Sequence, residues 1–166
     1  MEPEVVNIPE MTFVGIIGCG SDVSQIEIAG LWQRFDQHRE NIKHQVEQKS
    51  YELHIQEETN PPMHFCLVGV EVQRIDHLPA ELFVKVIPAC EYAVFTHHFK
   101  EGGFSYAFKM VYKWLRNSDY TSAYPFDIQC YDTRFISPDD PESVVEIYIP
   151  IKSNLSPLCF LSTFNS

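Results

Sequence analysis

FDIQCYDTRF (Phe126–Phe135) and VVEIYIPIK (Val144–Lys152) flank the turn-rich ISPDDPES. Two alternating runs across a Pro/Asp-rich turn are the pattern of an antiparallel strand pair. In the second run Ile147, Ile149 and Ile151 take one face, leaving Glu146, Tyr148 and Pro150 on the other. In the first, Tyr131, Thr133 and Phe135 share a face, with Asp132 and Arg134 opposite. Aromatic rings with a few polar groups on one strand face make a good pocket wall.

Working outward, the same order of elements occurs twice. Residues 11–19 (MTFVGIIGC) are apolar and β-branched, a strand that turns at Gly18-Cys19-Gly20. The glycine spacing there does not match a dinucleotide-binding loop. Ser24 and Glu27 stand in capping-box order, and Ile28, Leu31, Trp32, Phe35 and Ile42 recur at helical spacing, a core stripe. Tyr51–Ile55 and His64–Val72 then read as strands. In the second half, residues 82–98 form a strand broken or bulged at Pro88, which cannot donate to a ladder. Gly102-Gly103 leads into a helix from Phe104 to about Arg116, with Trp114 on the shoulder of its apolar stripe. The strand pair above follows. Phe13 thus corresponds to Tyr92, Trp32 to Trp114, Tyr51 to about Phe126, and Val68–Val72 to about Glu146–Pro150. The expectation is an α+β fold of duplicated βαββ modules, about 3–72 and 82–152. The modules form a continuous antiparallel sheet with helices on one side and a central pseudo-twofold cleft. Residues 153–166 form a Ser/Asn-rich tail.

Composition narrows the function. The 166 residues carry 45% hydrophobic and 13% aromatic side chains, enough for a packed interior and rich for a ligand pocket. The formal net charge of −11 repels phosphate backbones, so no direct nucleic-acid partner is expected. The five cysteines are odd in number and scattered, which suits buried free thiols in a reducing compartment. The first ten residues lack a basic and an apolar region, and no apolar run has membrane-spanning length. These features point to the cytoplasm, with no membrane partner. His97 and His98 alternate in direction on a strand, and no Cys/His spacing resembles a zinc site, so no metal or other cofactor is expected. No nucleophile motif occurs.

In order and spacing, LWQRF, LVGVEV, KVIPACEYAVFTH, VYKWLRNSDY, YDTRF and VEIYIPIK together resemble the GyrI-like, or AraC-type, effector-binding domain family. The likeness spans residues 3–152. It implies duplicated βαββ modules around a cleft, found in multidrug-sensing transcription activators, stand-alone binding proteins, gyrase inhibitors and hydrolases of small strained molecules. By that resemblance Tyr148 lines the pocket and Trp114 is the family's helix tryptophan. Thr133 stands where the family carries a buried glutamate that anchors cations or does chemistry. Threonine offers a hydroxyl but neither charge nor a useful base, so catalysis is not expected of it. Glu146 and Glu71 are the candidate substitutes.

The expected function is a stand-alone binding domain for a lipophilic effector, with no helix-turn-helix of its own. Its walls come from Tyr51, Phe65, Trp114, Tyr131, Thr133 and Tyr148, with Glu71 and Glu146 at hand. Two other classes fit the same family: a protein-interaction module of the gyrase-inhibitor type, and a small-molecule hydrolase using a substitute glutamate.

Overall fold

The structure is a computed structural model describing residues 1–154; the expected tail beyond Asn154 lies outside the described residues. Nine strands and two α-helices follow in the order β1 (Glu4–Ile8), β2 (Met11–Gly20), α1 (Ile28–Asp36), β3 (Ser50–Glu57), β4 (Met63–Glu71), β5 (Phe83–Ile87), β6 (Cys90–His98), α2 (Phe104–Asn117), β7 (Tyr120–Ser122), β8 (Phe126–Tyr131) and β9 (Val144–Ser153). All strand pairs are antiparallel, in the sheet order β1-β6-β9-β8-β3-β4-β2-β5, and β7 also pairs with β9. The α+β fold built from two βαββ units is therefore what the chain adopts.

The two units meet where β3 pairs with β8. Partner pairs in one unit have counterparts in the other: Phe13 opposite Glu71 matches Tyr92 opposite Pro150, and Leu53 opposite Leu67 matches Cys130 opposite Glu146. The same correspondence maps Glu52 onto Gln129, and these two are direct partners across the junction. The pseudo-twofold axis thus passes between Glu52 and Gln129. Tyr51 corresponds to Ile128 and Val68 to Ile147, shifts of two residues and one from the sequence alignment, because spacing alone does not fix register.

Each unit also lends its leading strand to the other. β1 pairs with β6 of the second unit, and β5 with β2 of the first. The break expected at Pro88 is what allows this: β5 ends at Ile87, and β6 starts at Cys90 on the far side of the sheet. β1 and β7 carry no strong sequence signal and are new.

One sheet face is covered by the helices. Leu31 and Phe35 of α1 pack on Val14, Ile16, Val68 and Val70, while Ala107 and Val111 of α2 pack on Phe95, Ile147 and Ile149. On the other face Phe13, Leu53, Leu67, Tyr92 and Ile128 form a third cluster that no helix enters. Gly15 and Gly69 oppose each other on β2 and β4, and a Cβ on either would run into the partner strand's backbone. Only glycine lets the two strands approach this closely.

α1 is shorter than its apolar stripe predicts. Ser24 sits in a 3₁₀ turn capped by Asp22, not in a capping box, and α1 starts at Ile28. After Asp36 the chain leaves the helix, so Ile42 is buried from a later segment. Cys66 and Cys130 are buried and Cys90 half-buried, but Cys19 is exposed, against the expectation of buried thiols; all four are free. Among the described residues no helix is long and apolar enough to cross a membrane.

Candidate functional site

The two helices leave the middle of the sheet uncovered, and there a cavity of about 1120 Å³ opens over β3 and β8. Ile28, Ala29 and Trp32 of α1 form one wall, and the segment from Arg39 to Gln48 closes one side. Phe104 of α2 and Asp132, Thr133, Phe135 and Pro138 form the other wall. Ser50, Glu52, His54, Gln129 and Tyr131 make the floor.

The floor follows from strand alternation. Tyr51, Leu53 and Ile55 turn to the third cluster, so Glu52 and His54 must face the helices. In an edge strand such polar residues would meet water. β3 lies in the middle of the sheet, so Glu52 is only 6% exposed. A buried carboxylate needs partners. Trp32 Nε1 donates to its Oε1 at 2.6 Å and His54 Nε2 to its Oε2 at 3.1 Å. Across the axis Tyr131 OH donates to Gln129 Oε1 at 2.8 Å. Each unit thus supplies one floor residue and one ring reaching back two positions to it, charged in the first unit and neutral in the second.

Burial alone would lower the His54 pKa, but the Cys66 thiol and the Glu52 carboxylate outweigh it and push it up to about 10. Burial pushes Asp127 up to about 6, with His54 pulling the other way, and pushes Tyr131 well above the usual phenol range. The wall from Asp132 to Ser143 is pinned by the buried Ser143. Its hydroxyl accepts from the Ile136 and Ser137 amides at 3.0 Å and donates to the Ser137 carbonyl at 2.7 Å. β8 ends at Tyr131, so Thr133 and Phe135 are turn residues, yet both line the cavity, and Phe135 meets Tyr131 edge-on at 4.7 Å.

The remaining sequence candidates lie elsewhere. Phe65 lines a second cavity of about 490 Å³ beyond His54 and Gln129, walled by Phe108, Tyr112 and Phe126. Glu146 and Tyr148 border a third, of about 380 Å³, beside β1. There Glu146 accepts from Arg134 Nη2 at 2.6 Å and Tyr148 OH at 2.7 Å. Tyr51 packs edge-on against Phe13 on the face away from the helices. Trp114 packs between Phe95 and Tyr120 in the α2 core, and Glu71 ends β4 outside all three cavities. Trp32, assigned to the core by its helical spacing, is the tryptophan that lines the large cavity.

Glu52 and His54 escaped the sequence analysis because polar residues alternating with apolar ones read as a solvated strand face. Their signal was the repeat: Asp127 and Gln129 alternate in the same way in β8.

The profile of the GyrI-like small molecule binding domain matches residues 1–152. The chain belongs to this family. A curated relative, the transcriptional regulator BrlR of Pseudomonas aeruginosa, is 33% identical over 154 residues, covering 91% of this chain and 56% of its own length. This chain therefore spans about half the length of that regulator. Among solved structures, SAV2435 bound to tetraphenylphosphonium superposes with a TM-score of 0.69 at 20% identity, covering 92% of this chain and 94% of that one. The EcmrR C-terminal domain gives 0.67 at 16% identity, covering 92% and 98%. A hydrolase encoded by lin2189 of Listeria innocua gives 0.59 at 13%, covering 91% and 92%. At these identities the structural likenesses establish the GyrI-like fold alone.

Proposed function

We propose that this GyrI-like domain takes a lipophilic small molecule into the cavity between α1 and the Asp132–Ser143 segment, as the effector-sensing part of a transcription-regulating system. The observation that carries this reading is the buried Glu52 carboxylate on a floor walled by Trp32, Tyr131, Phe104 and Phe135. Rings on both sides suit a flat or propeller-shaped aromatic ligand. The preferred ligand is neutral. Both Glu52 oxygens already have donors, and His54 balances the charge. A cation would have to compete with His54 for the carboxylate, with no second glutamate at Thr133 to receive it. Binding of SAV2435 to tetraphenylphosphonium gives the probe for a test.

The experiment compares triphenylphosphine oxide with tetraphenylphosphonium at equal concentration in thermal-shift assays. In a Trp114→Phe variant the remaining Trp32 reports by fluorescence. The neutral compound is expected to stabilise at least as much as the cation and to perturb Trp32 emission. Trp32→Ala should weaken its binding by about 2 kcal/mol, the loss of an aromatic anchor. Full affinity in a folded Trp32→Ala protein removes the cavity from the site. A stronger response to the cation that vanishes in Glu52→Gln makes Glu52 a cation anchor instead.

A further inference from the structure

Three adjacent strands place three donor side chains in one row across the floor. Cys66 of β4 is opposite His54 of β3, and His54 is opposite Asp127 of β8. Glu52 stands two residues before His54 on the same face. One carboxylate oxygen of Glu52, one imidazole nitrogen of His54 and the Cys66 sulfur all lie within 4.8 Å of one another. Cys66 and Glu52 are buried.

The arrangement is not that of a nucleophile relay. A thiol–imidazole–carboxylate relay uses the two ring nitrogens separately, one for the thiol and one for the carboxylate. Here Glu52 Oε2 at 3.1 Å and Cys66 Sγ at 4.0 Å approach the same nitrogen, His54 Nε2. Three donors converging on one point is what a metal ion requires. With bonds of about 2.0–2.3 Å to N, O and S, ligand atoms around a tetrahedral ion stand about 3–4 Å apart. On the far side of His54, the Asp127 Oδ1 atom is buried and has no hydrogen-bond partner. A buried carboxylate oxygen without a donor is favoured beside a positive centre, whether the His54 imidazolium or a bound ion that takes the place of its proton.

The geometry points to a divalent metal site of the zinc class formed by Glu52, His54 and Cys66, with its fourth position open to the large cavity. Thiolate with imidazole selects zinc or cobalt over magnesium and calcium, which prefer all-oxygen shells. Glu52 and His54 line the cavity, so an ion and its water can be reached from solvent. Loading would displace the thiol proton and the proton on His54 Nε2 to solvent. The inference stands apart from the small-molecule reading, since metal uptake is measured without any organic ligand.

The test uses the full chain, tag-free, reduced and chelator-treated. Cobalt(II) should bind at one equivalent with visible bands of tetrahedral strength and a near-ultraviolet thiolate charge-transfer band, and zinc(II) should displace it. Cys66→Ser should lose the charge-transfer band, Glu52→Gln should weaken cobalt binding about tenfold or more, and Cys19→Ser should change neither. Absence of cobalt binding in the wild type, or a thiolate band surviving in Cys66→Ser, overturns the site. Should Cys66→Ser not fold, zinc-edge X-ray absorption of the loaded wild type decides. One sulfur among nitrogen and oxygen scatterers supports the site, and no sulfur or several overturns it.

Discussion

Thr133 and Glu52 line one cavity, but Thr133 is exposed, so a carboxylate added there would stand at the solvated rim of a cavity that already holds one. Thr133→Glu is expected to leave the melting temperature nearly unchanged and to raise the new glutamate's pKa only slightly, through like charge. Tetraphenylphosphonium should then stabilise the variant more than the wild type at the same concentration, and equal shifts would show that the added charge does not reach the ligand. Asp132, beside Thr133, illustrates the opposite direction. The Arg134 guanidinium holds its carboxyl below the usual range, the side-chain hydrogen bond acting most. A lowered folded pKa stabilises above the unfolded value, near 4, and that contribution fades as pH falls through the folded value. Asp132→Asn should therefore cost about 0.5–1 kcal/mol at pH 7, modest because Arg134 is exposed, and progressively less as pH falls below about 4. Urea unfolding of both proteins across that range checks it.

Between elements, the β2–β4 contact leaves the least room. Gly15 and Gly69 face each other there, and a Cβ on Gly69 would meet the Val14 carbonyl. Gly69→Ala is expected to lose about 3 kcal/mol, the order of a severe overpacking defect, because backbone on two central strands has nowhere to move. Gly103→Ala is the control. Gly103 caps α2 in extended conformation with open space at its Cβ, and the change should stay within about 1 kcal/mol in urea unfolding. A Gly69→Ala protein as stable as Gly103→Ala would refute the close approach. The exchange of β1 and β5 is a further element-scale feature: each unit is completed by a strand from the other, so neither half has its full sheet alone.

At the scale of the whole molecule the net charge of −11 dominates long-range behaviour. Among the described residues the two α-helices are separated by four strands, and no helix-turn-helix pair occurs. Duplex DNA should show no salt-sensitive binding to this chain, because nonspecific affinity comes from Lys and Arg neutralising phosphates. Retention on DNA at micromolar concentration and physiological salt, in a mobility-shift assay, would contradict that. The same scale explains why a pocket exists at all. Two helices related by a pseudo-twofold axis sit over their own units, and the axis itself, at Glu52 and Gln129, is left uncovered.

Much of this architecture was legible in the chain itself. The period-2 alternation in Phe126–Tyr131 and Val144–Lys152, the helical stripe of Phe104–Arg116, the Pro88 break and the near-repeat of element order are local signals, and they specify two βαββ units without any contact information. Thr133 and Tyr131 were within reach for the same reason, lying in a quotable family stretch. Tertiary structure alone decided the rest. Whether a polar strand face meets solvent or a cavity depends on the strand's place in the sheet, and β3 became central only by pairing with β8, whose Tyr131 faces Ser50 and whose Phe126 faces Ile55. That pairing turned Glu52 from an apparent surface residue into a buried one and left His54 half-buried beside it on the cavity floor. Trp32 and Trp114 sit alike on their helices in sequence. The uncovered axis passes beside the first, and Phe95 and Tyr120 enclose the second. Alternation records which residues share a face; only the assembled sheet determines what that face meets.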